Sequence, residues 1–164
     1  MIILGLDPGT ATTGFGVIKK EGNKLYSLDY GCIETKPNMA MPDRLNKIFK
    51  KTEKIIKKHK PDTMVCEQLF FFKNVKTVIT VAQARGVLIV AGRKNMISVF
   101  EYTPLQIKQA LTGYGRADKE QMQKMVKILL NLDKIPQPDD AADALAVAIC
   151  HANSVKNNYS HIIL

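Results

Sequence analysis

The sequence predicts an α/β fold in which a five-stranded mixed β-sheet is flanked by α-helices. The first third of the chain contains three strand-like segments in succession, which is typical of an antiparallel meander. After it, strand-like and helix-like segments alternate, which favours parallel pairing with helices on the faces of the sheet. The chain has 164 residues, 46% of them hydrophobic, and this suits one domain with a substantial core.

Five short segments have strand character, because each is a continuous or alternating apolar run of strand length. They comprise residues 2–6, 14–19, 25–33, 63–67 and 97–101. Five further segments have the apolar spacing or the end signals of helices. They comprise Pro42 to about His59, residues 75–92, Pro104 to Leu111 with Thr103 as N-cap, a helix to about Leu132 that Asp118 can cap, and a helix that starts near Asp139 and has Asp139 as N-cap.

The predicted order is therefore β-β-β-α-β-α-β followed by helices, which is the layout of the ribonuclease H-like fold. We expect one ribonuclease H-like domain over residues 1–153. Residues 154–164 form a C-terminal tail that contains no motif.

Composition narrows the class of protein. Lys and Arg number 24 against 15 Asp and Glu, so the formal net charge is +9, which points to a polyanionic partner. The start MIILGLDPGT lacks the features of a signal peptide, and no apolar run approaches the roughly 18–20 residues of a membrane span. The three cysteines, Cys32, Cys66 and Cys150, fit reduced thiols in a cytoplasmic protein.

Four carboxylates stand where solvated acids are not expected. Asp7 and Glu67 each follow a buried strand, and Asp140 and Asp143 share one helix face at i, i+3 spacing. Each has an ordinary alternative: a turn aspartate, a glutamate paired at the sheet edge, or acids that favour the helix dipole. If the four converge, like charges so close require a cation.

Hard divalent cations meet that requirement, since Mg²⁺ prefers oxygen ligands and shares them with water and substrate phosphates. Two such ions about 3.5–4 Å apart can act on both oxygens of an in-line phosphoryl displacement. We therefore expect two Mg²⁺ per site, with Mn²⁺ able to replace them. No histidine base is needed, and we expect structural or surface roles for His59, His151 and His161.

The sequence resembles the RuvC family of Holliday-junction resolvases over nearly all of its length. Five blocks carry the resemblance, in order and at similar separations: ILGLDPGTATTGFGVI (3–18), CEQLFFFKN (66–74), AQARGV (82–87), FEYTPLQIKQALTG (100–113) and DDAADALAVAICH (139–151). The resemblance implies a homodimeric, Mg²⁺-dependent endonuclease of ribonuclease H-like fold. It implies paired nicks in opposite strands of a four-way DNA junction, in recombination and repair, with RuvA- and RuvB-type branch-migration proteins as partners.

The resemblance also implies roles for particular residues. The family's four catalytic, metal-binding carboxylates fall on Asp7, Glu67, Asp140 and Asp143. Some relatives carry His where this chain has Asp140, so its predicted site is all oxygen.

Basic and aromatic positions complete the predicted DNA contacts. The family's functional lysines fall on Lys108 and Lys119, and we expect Lys119 to stabilise charge on the scissile phosphate. The aromatic residue that contacts a junction base falls on Phe70, although the run Phe70-Phe71-Phe72 leaves open which ring stacks. Arg116 precedes a helix and is a candidate for holding backbone phosphate.

Two helices carry surfaces with more than one interpretation. Residues 44–60 contain eight Lys or Arg and one acid, Glu53. Six of these lysines form one stripe that is either a solvated face or a contact for a DNA arm: Lys47, Lys50, Lys51, Lys54, Lys57 and Lys58. On the helix predicted at 75–92, Val78, Val81 and Leu88 belong either to the core or to an isologous dimer interface.

Two other functions are compatible with parts of the sequence. The segment from Asp7 to Gly14 also resembles the first phosphate loop of sugar-kinase and actin-type ATPases, but those proteins need a second domain for which 164 residues leave no room. A non-catalytic junction-binding protein is the other alternative. It would gain nothing from four acids facing DNA.

Overall fold

The computed structural model describes residues 1–68 and 75–155, with only the backbone described at 75–77. The five strands are β1 (Ile2–Asp7), β2 (Thr12–Glu21), β3 (Lys24–Glu34), β4 (Thr63–Glu67) and β5 (Ser98–Tyr102). The five helices of the described residues are α1 (Met41–His59), α2 (Val75–Lys94), α3 (Pro104–Thr112), α4 (Lys119–Leu129) and α5 (Asp139–Ser154). None of these helices is long and apolar enough to span a membrane.

The strands form one mixed sheet in the order β3-β2-β1-β4-β5. Strands β1, β2 and β3 pair antiparallel, as the meander predicted, whereas β4 pairs parallel with both β1 and β5. In this register Leu6 lies opposite Cys66, and Asp7 lies opposite Gly14. Strands β1 and β4 therefore end together, at Asp7 and Glu67, on one edge of the sheet.

Helices cover both faces of the sheet and enclose two apolar clusters. One cluster lies between the sheet and α3, α4 and α5, and the other lies between the sheet and α1 and α2. Leu88 of α2 has no exposed surface and belongs to the second cluster, so of its two predicted places, core or dimer interface, the structure gives the core. Among the described side chains of α2, the large apolar ones that are exposed are Ile79 and Val90.

Helix α5 packs unusually close to the sheet because the strands beneath it present glycines. A Cβ on Gly5 would lie 2.2 Å from the carbonyl oxygen of Ala144, and a Cβ on Gly14 would lie 2.0 Å from that of Asp140. A Cβ on Gly16 would lie 2.8 Å from the side chain of Leu145. Only glycine fits at these distances, and the alanines of α5 complete the contact from the other side.

Two predicted helix ends differ from the structure. Helix α4 ends at Leu129 rather than near Leu132, because Asn131 takes a left-handed backbone conformation (φ 50°) that interrupts the helix. Asp139 is the first residue of α5 and not its N-cap, a position that Pro138 occupies without a side-chain hydrogen bond. The predicted N-cap at Thr103 is confirmed.

The described histidines have structural roles, as expected. His59 Nε2 lies 2.8 Å from Asp29 Oδ2. His151 is completely buried in α5, with Nδ1 3.0 Å from the hydroxyl of Tyr102. Burial lowers the pKa of His151 to about 4. His161 lies outside the described residues.

The contact between α5 and the sheet predicts a large penalty for Gly5→Ala. The added methyl would collide with backbone that cannot move independently, and overpacking of this kind costs about 1–3 kcal/mol or more. Gly31→Ala is the matched control, because its Cβ would lie 3.2 Å from the ring of Phe15, which can shift. Urea unfolding should show a much larger loss of stability for Gly5→Ala. Equal losses of stability in the two variants would contradict the importance of this contact.

Candidate metal-dependent active site

Two strands and one helix bring the four predicted carboxylates to the same edge of the sheet. Asp7 is the last residue of β1 and Glu67 is the last residue of β4, its neighbour. Asp140 and Asp143 lie in the first turns of α5, whose N-terminal end rests on Gly14 of β2, opposite Asp7. All four acids are partly exposed, so they face a cleft that solvent reaches.

The electrostatics of Asp7 reflect both its burial and its acidic neighbours. Burial is the largest cause, and together with the charges of Glu67, Asp143 and Asp140, in that order, it raises the pKa of Asp7 to about 8. Lys119 opposes the rise without cancelling it. At neutral pH the cluster therefore holds more negative charge than the neighbouring cation balances.

Glu67 and Asp143 share this environment. Burial raises the pKa of Glu67, the charge of Asp143 adds to the rise, and Lys108 acts against it. Burial also raises the pKa of Asp143, despite the opposing effect of Lys119. Perturbed acids that meet in a cleft are a frequent property of catalytic sites.

Helix α4 places Lys119 beside the acids. Asp118 caps this helix, and a reciprocal hydrogen bond with Gln121 fixes Lys119 as its first residue. The Nζ of Lys119 lies 3.0 Å from Asp139 Oδ2 and 3.5 Å from Asp143 Oδ2. These contacts raise the pKa of Lys119, with its hydrogen bond to Asp139 as the largest cause, so the lysine stays charged.

Lys108 lines the same cleft from α3. The cleft is bounded by both lysines, two of the acids and an apolar floor: Glu67, Pro104, Ile107, Lys108, Lys119, Met122, Asp143, Ala146 and Val147. Arg116 lies on the loop between α3 and α4 and does not line the cleft. Phe70, Phe71 and Phe72 lie outside the described residues.

Sequence reasoning missed the part that Asp139 plays. We expected this residue to cap α5, but its carboxylate accepts hydrogen bonds from Lys119 and from Gln123 Nε2, the latter at 3.0 Å. It therefore holds the lysine at the rim of the cleft. The pairing joins α4 to α5, and no spacing within one helix could have indicated it.

The donor set fits a magnesium ion bound together with water and phosphate. Within residues 1–68 and 75–155, no three side chains of the metal-ligating types gather closely enough to enclose a metal ion by themselves. Mg²⁺ does not require such a cage, since it commonly uses one or two carboxylates and takes its other oxygens from water and substrate. Four acids, an all-oxygen set and an uncompensated negative charge match this kind of site.

Comparison with known proteins gives the family. The family model described as "Crossover junction endodeoxyribonuclease RuvC" matches residues 3–151. The protein of that name from Ruminiclostridium cellulolyticum is 57% identical over 154 residues, which cover 94% of this chain and 93% of the relative.

Solved structures agree with the sequence comparison. The structure of Thermus thermophilus RuvC superposes with a TM-score of 0.93 at 31% identity, covering 99% of this chain and 100% of that one. The same protein in complex with a Holliday-junction substrate superposes with a TM-score of 0.92 at 29% identity and the same coverage.

The fold and the acid cluster define a nuclease of the ribonuclease H-like class that depends on divalent metal ions. The matches over almost the whole chain narrow that class. The chain belongs to the RuvC family of crossover junction endodeoxyribonucleases.

The raised pKa of Asp7 predicts how stability depends on pH. Its pKa in the folded protein, about 8, is above the unfolded value near 3.9, so the metal-free protein loses stability as pH rises through this range. Asp7→Asn removes the repulsion, and it should raise the melting temperature of the metal-free protein at pH 8. Each kcal/mol relieved corresponds to roughly 2–4 °C.

Thermal unfolding in EDTA between about pH 7.5 and 8.5 checks this, since unfolded histidines, with a pKa near 6.5, are largely neutral in that range. Mg²⁺ should stabilise the native protein and have a much smaller effect on Asp7→Asn. A melting temperature that does not depend on pH in EDTA, with equal Mg²⁺ effects on both proteins, would show that the acids are not coupled as described.

Proposed function

We propose that the chain resolves four-way DNA junctions by hydrolysing phosphodiester bonds in two opposite strands. The observation that carries the proposal is the convergence of four acids and two lysines at one sheet edge, in a chain of the RuvC family. The solved complex of the Thermus thermophilus relative with a Holliday junction supports the choice of substrate. We also propose a cytoplasmic location, where bacterial DNA is processed.

In this proposal Asp7, Glu67, Asp140 and Asp143 hold two Mg²⁺ ions, and Mn²⁺ can replace them. When bound, the ions supply an activated water and neutralise charge on the leaving 3′-oxygen. The protein contributes a prearranged set of acids, and the burial and mutual repulsion that raise the pKa of Asp7 favour binding of a divalent cation. The apolar floor of the cleft fixes the helices that carry the acids.

The lysines stabilise the phosphate that is attacked. Lys119 is held 3.0 Å from Asp139 and is 55% exposed, so its ammonium can contact a phosphate at the rim without leaving Asp139. Lys108 lies beside Glu67 and limits the negative charge that an approaching phosphate meets. Positioned cations of this kind are worth more where charge develops in the transition state than in the ground state.

Further DNA contacts are proposed from the family resemblance. Arg116 lies on the loop that joins the two lysine-bearing helices, and we assign it a backbone phosphate. Phe70 is assigned to stacking on a base at the junction, an assignment that rests on the sequence alone.

A second copy of the chain is proposed to cover an apolar groove between α1 and α2. Leu45 and Phe49 line it from α1, and Gly86 and Val90 line it from α2. Val90 is 57% exposed, so the groove offers apolar surface that a second copy could cover. A twofold dimer presents two equivalent sites to two equivalent strands. It predicts that Val90→Glu converts paired nicks into single nicks, and paired nicking by a monomeric variant would exclude it.

The family resemblance also proposes branch-migration proteins of the RuvA and RuvB type as partners. Co-sedimentation of these proteins with the chain on a synthetic junction tests the proposal. The proposal is contradicted if the chain never co-sediments on the junction together with these proteins.

Cleavage of a labelled four-way junction tests the proposed function directly. With Mg²⁺ we expect paired nicks in opposite strands, and we expect none without metal or on a linear duplex of the same sequence. Asp7→Asn should abolish cleavage while junction binding persists or tightens, because asparagine keeps the size of the side chain and never carries a negative charge facing phosphate. Lys119→Gln should slow cleavage by roughly 10²-fold or more at saturating junction.

Asp133→Asn is the matched control, because it is the same substitution at an exposed aspartate that does not line the cleft. It should cleave at the native rate. Normal cleavage by Asp7→Asn would refute the metal assignment. Junction binding without cleavage, under several metals and sequences, would instead support a non-catalytic junction-binding protein.

A further inference from the structure

The outer face of α1 presents a dense row of cations to solvent. It consists of Lys47, Lys50, Lys51, Lys54 and Lys57, here called the lysine face, and all but the half-buried Lys47 are exposed. The opposite side of the helix is buried through Ile48, Thr52 and Ile56, so the lysine face points away from the core. It extends over about 15 Å along the helix axis.

These lysines have no acidic partner in the part of the chain that the structure describes, whereas other lysines do. The acids closest to the face in sequence or in space are largely occupied by other cations. Glu53 of α1 pairs with Lys94 of α2 at 3.3 Å, and Asp29 pairs with Lys58 at 2.6 Å. Asp43 borders the N-terminal end of the row, where an acid favours the helix dipole.

The spacing of the lysine face makes this arrangement costly for the free protein. Lys47 and Lys51 are four residues apart, as are Lys50 and Lys54, and Lys51 and Lys54 are three apart. Like charges at these spacings destabilise a helix by about 0.2–0.5 kcal/mol per pair. A solvated face needs no such repulsion, because glutamates at alternate positions would serve equally well. The repulsion disappears when a polyanion lies along the face.

The N-terminal end of the lysine face lies toward the edge of the sheet that carries the acids. Arg44, one turn before Lys47, donates from Nε to Thr35 Oγ1 at 2.7 Å. The Thr35 hydroxyl in turn donates to the carbonyl oxygen of Thr10, which is three residues beyond Asp7. From this edge the face continues along the layer of α1 and α2, on the opposite side of the sheet from α5.

We propose that the lysine face holds the phosphate backbone of a duplex arm of the junction as that arm leaves the active site. The inference rests on the proposed function and extends it with a second contact surface outside the catalytic cleft. Fifteen ångströms of helix matches the axial rise of about four phosphates on one strand. The contact is with the backbone, so it adds affinity and orientation without reading sequence.

The test compares two triple variants that remove the same charge. Lys50→Gln, Lys51→Gln and Lys54→Gln together remove three cations of the lysine face. Lys24→Gln, Arg93→Gln and Lys127→Gln remove three cations away from it. Glutamine has a helix propensity close to that of lysine, so α1 should stay folded. Junction binding is measured in EDTA between about 50 and 200 mM salt, and melting temperature is measured on the same samples.

The salt slope is the slope of the logarithm of the binding constant against the logarithm of the salt concentration. For the lysine-face variant we expect this slope to be less steep by about one for each phosphate that the variant no longer neutralises. We also expect its binding to be weaker by tenfold or more near 0.1 M salt. Its melting temperature without DNA should rise, because the like-charge pairs are gone. The control variant should show a smaller change in the salt slope, and in a separate assay with Mg²⁺ it should cleave the junction at the native rate. Weaker binding together with a higher melting temperature distinguishes the removal of a DNA-binding surface from damage to the fold.

Equal salt slopes for the two variants would overturn the inference and identify the lysine face as a solvated surface. That result would leave the proposed function intact as long as the native protein cleaves the junction. If the lysine-face variant has the less steep salt slope but the native protein never cleaves the junction, the proposed function fails and the contact surface stands.

Discussion

The contact between α5 and the glycines of β1 and β2 brings the acids of the helix to the acids at the strand ends. Asp7 comes from a strand, and Asp140 and Asp143 come from a helix that is remote from it in sequence. These groups meet only because Gly5 and Gly14 let the helix backbone approach the sheet to a distance that no side chain tolerates. The buried alanines and Leu145 of α5 then fix the rotation of the helix, and with it the direction in which its acids point.

Close approach has an electrostatic consequence that the protein compensates only in part. Burial and three neighbouring acids raise the pKa of Asp7 to about 8, while Lys119 is committed to Asp139 and Asp143. A site with excess negative charge attracts a divalent cation and, through it, a phosphate. The same excess would repel DNA if no metal were bound, and the exposed lysines on other faces supply the compensating attraction.

Much of the fold followed from the sequence because its signals were local. Five apolar strands, the N-caps at Thr103 and Asp118 and the order of elements were all readable from short windows, and the structure confirms them. The four carboxylates stood out because each sat where an unpaired acid is costly. The role of Asp139 was missed because it depends on a tertiary contact with Lys119 of another helix, and the burial of Leu88, left open by the sequence, was decided by tertiary packing. The end of α4 was misplaced for a local reason, since Asn131 takes a left-handed conformation.

The central claim is that strand acids and helix acids act together on the same metal ions. Anomalous diffraction from crystals of the full chain grown with Mn²⁺ tests it most directly, because manganese binds carboxylate sites and can be located without reference to the protein. We predict a manganese ion about 2.1 Å from an oxygen of Asp7 and from an oxygen of at least one acid of α5. Manganese bound only by the acids of α5, or only at sites remote from Asp7, would contradict this claim.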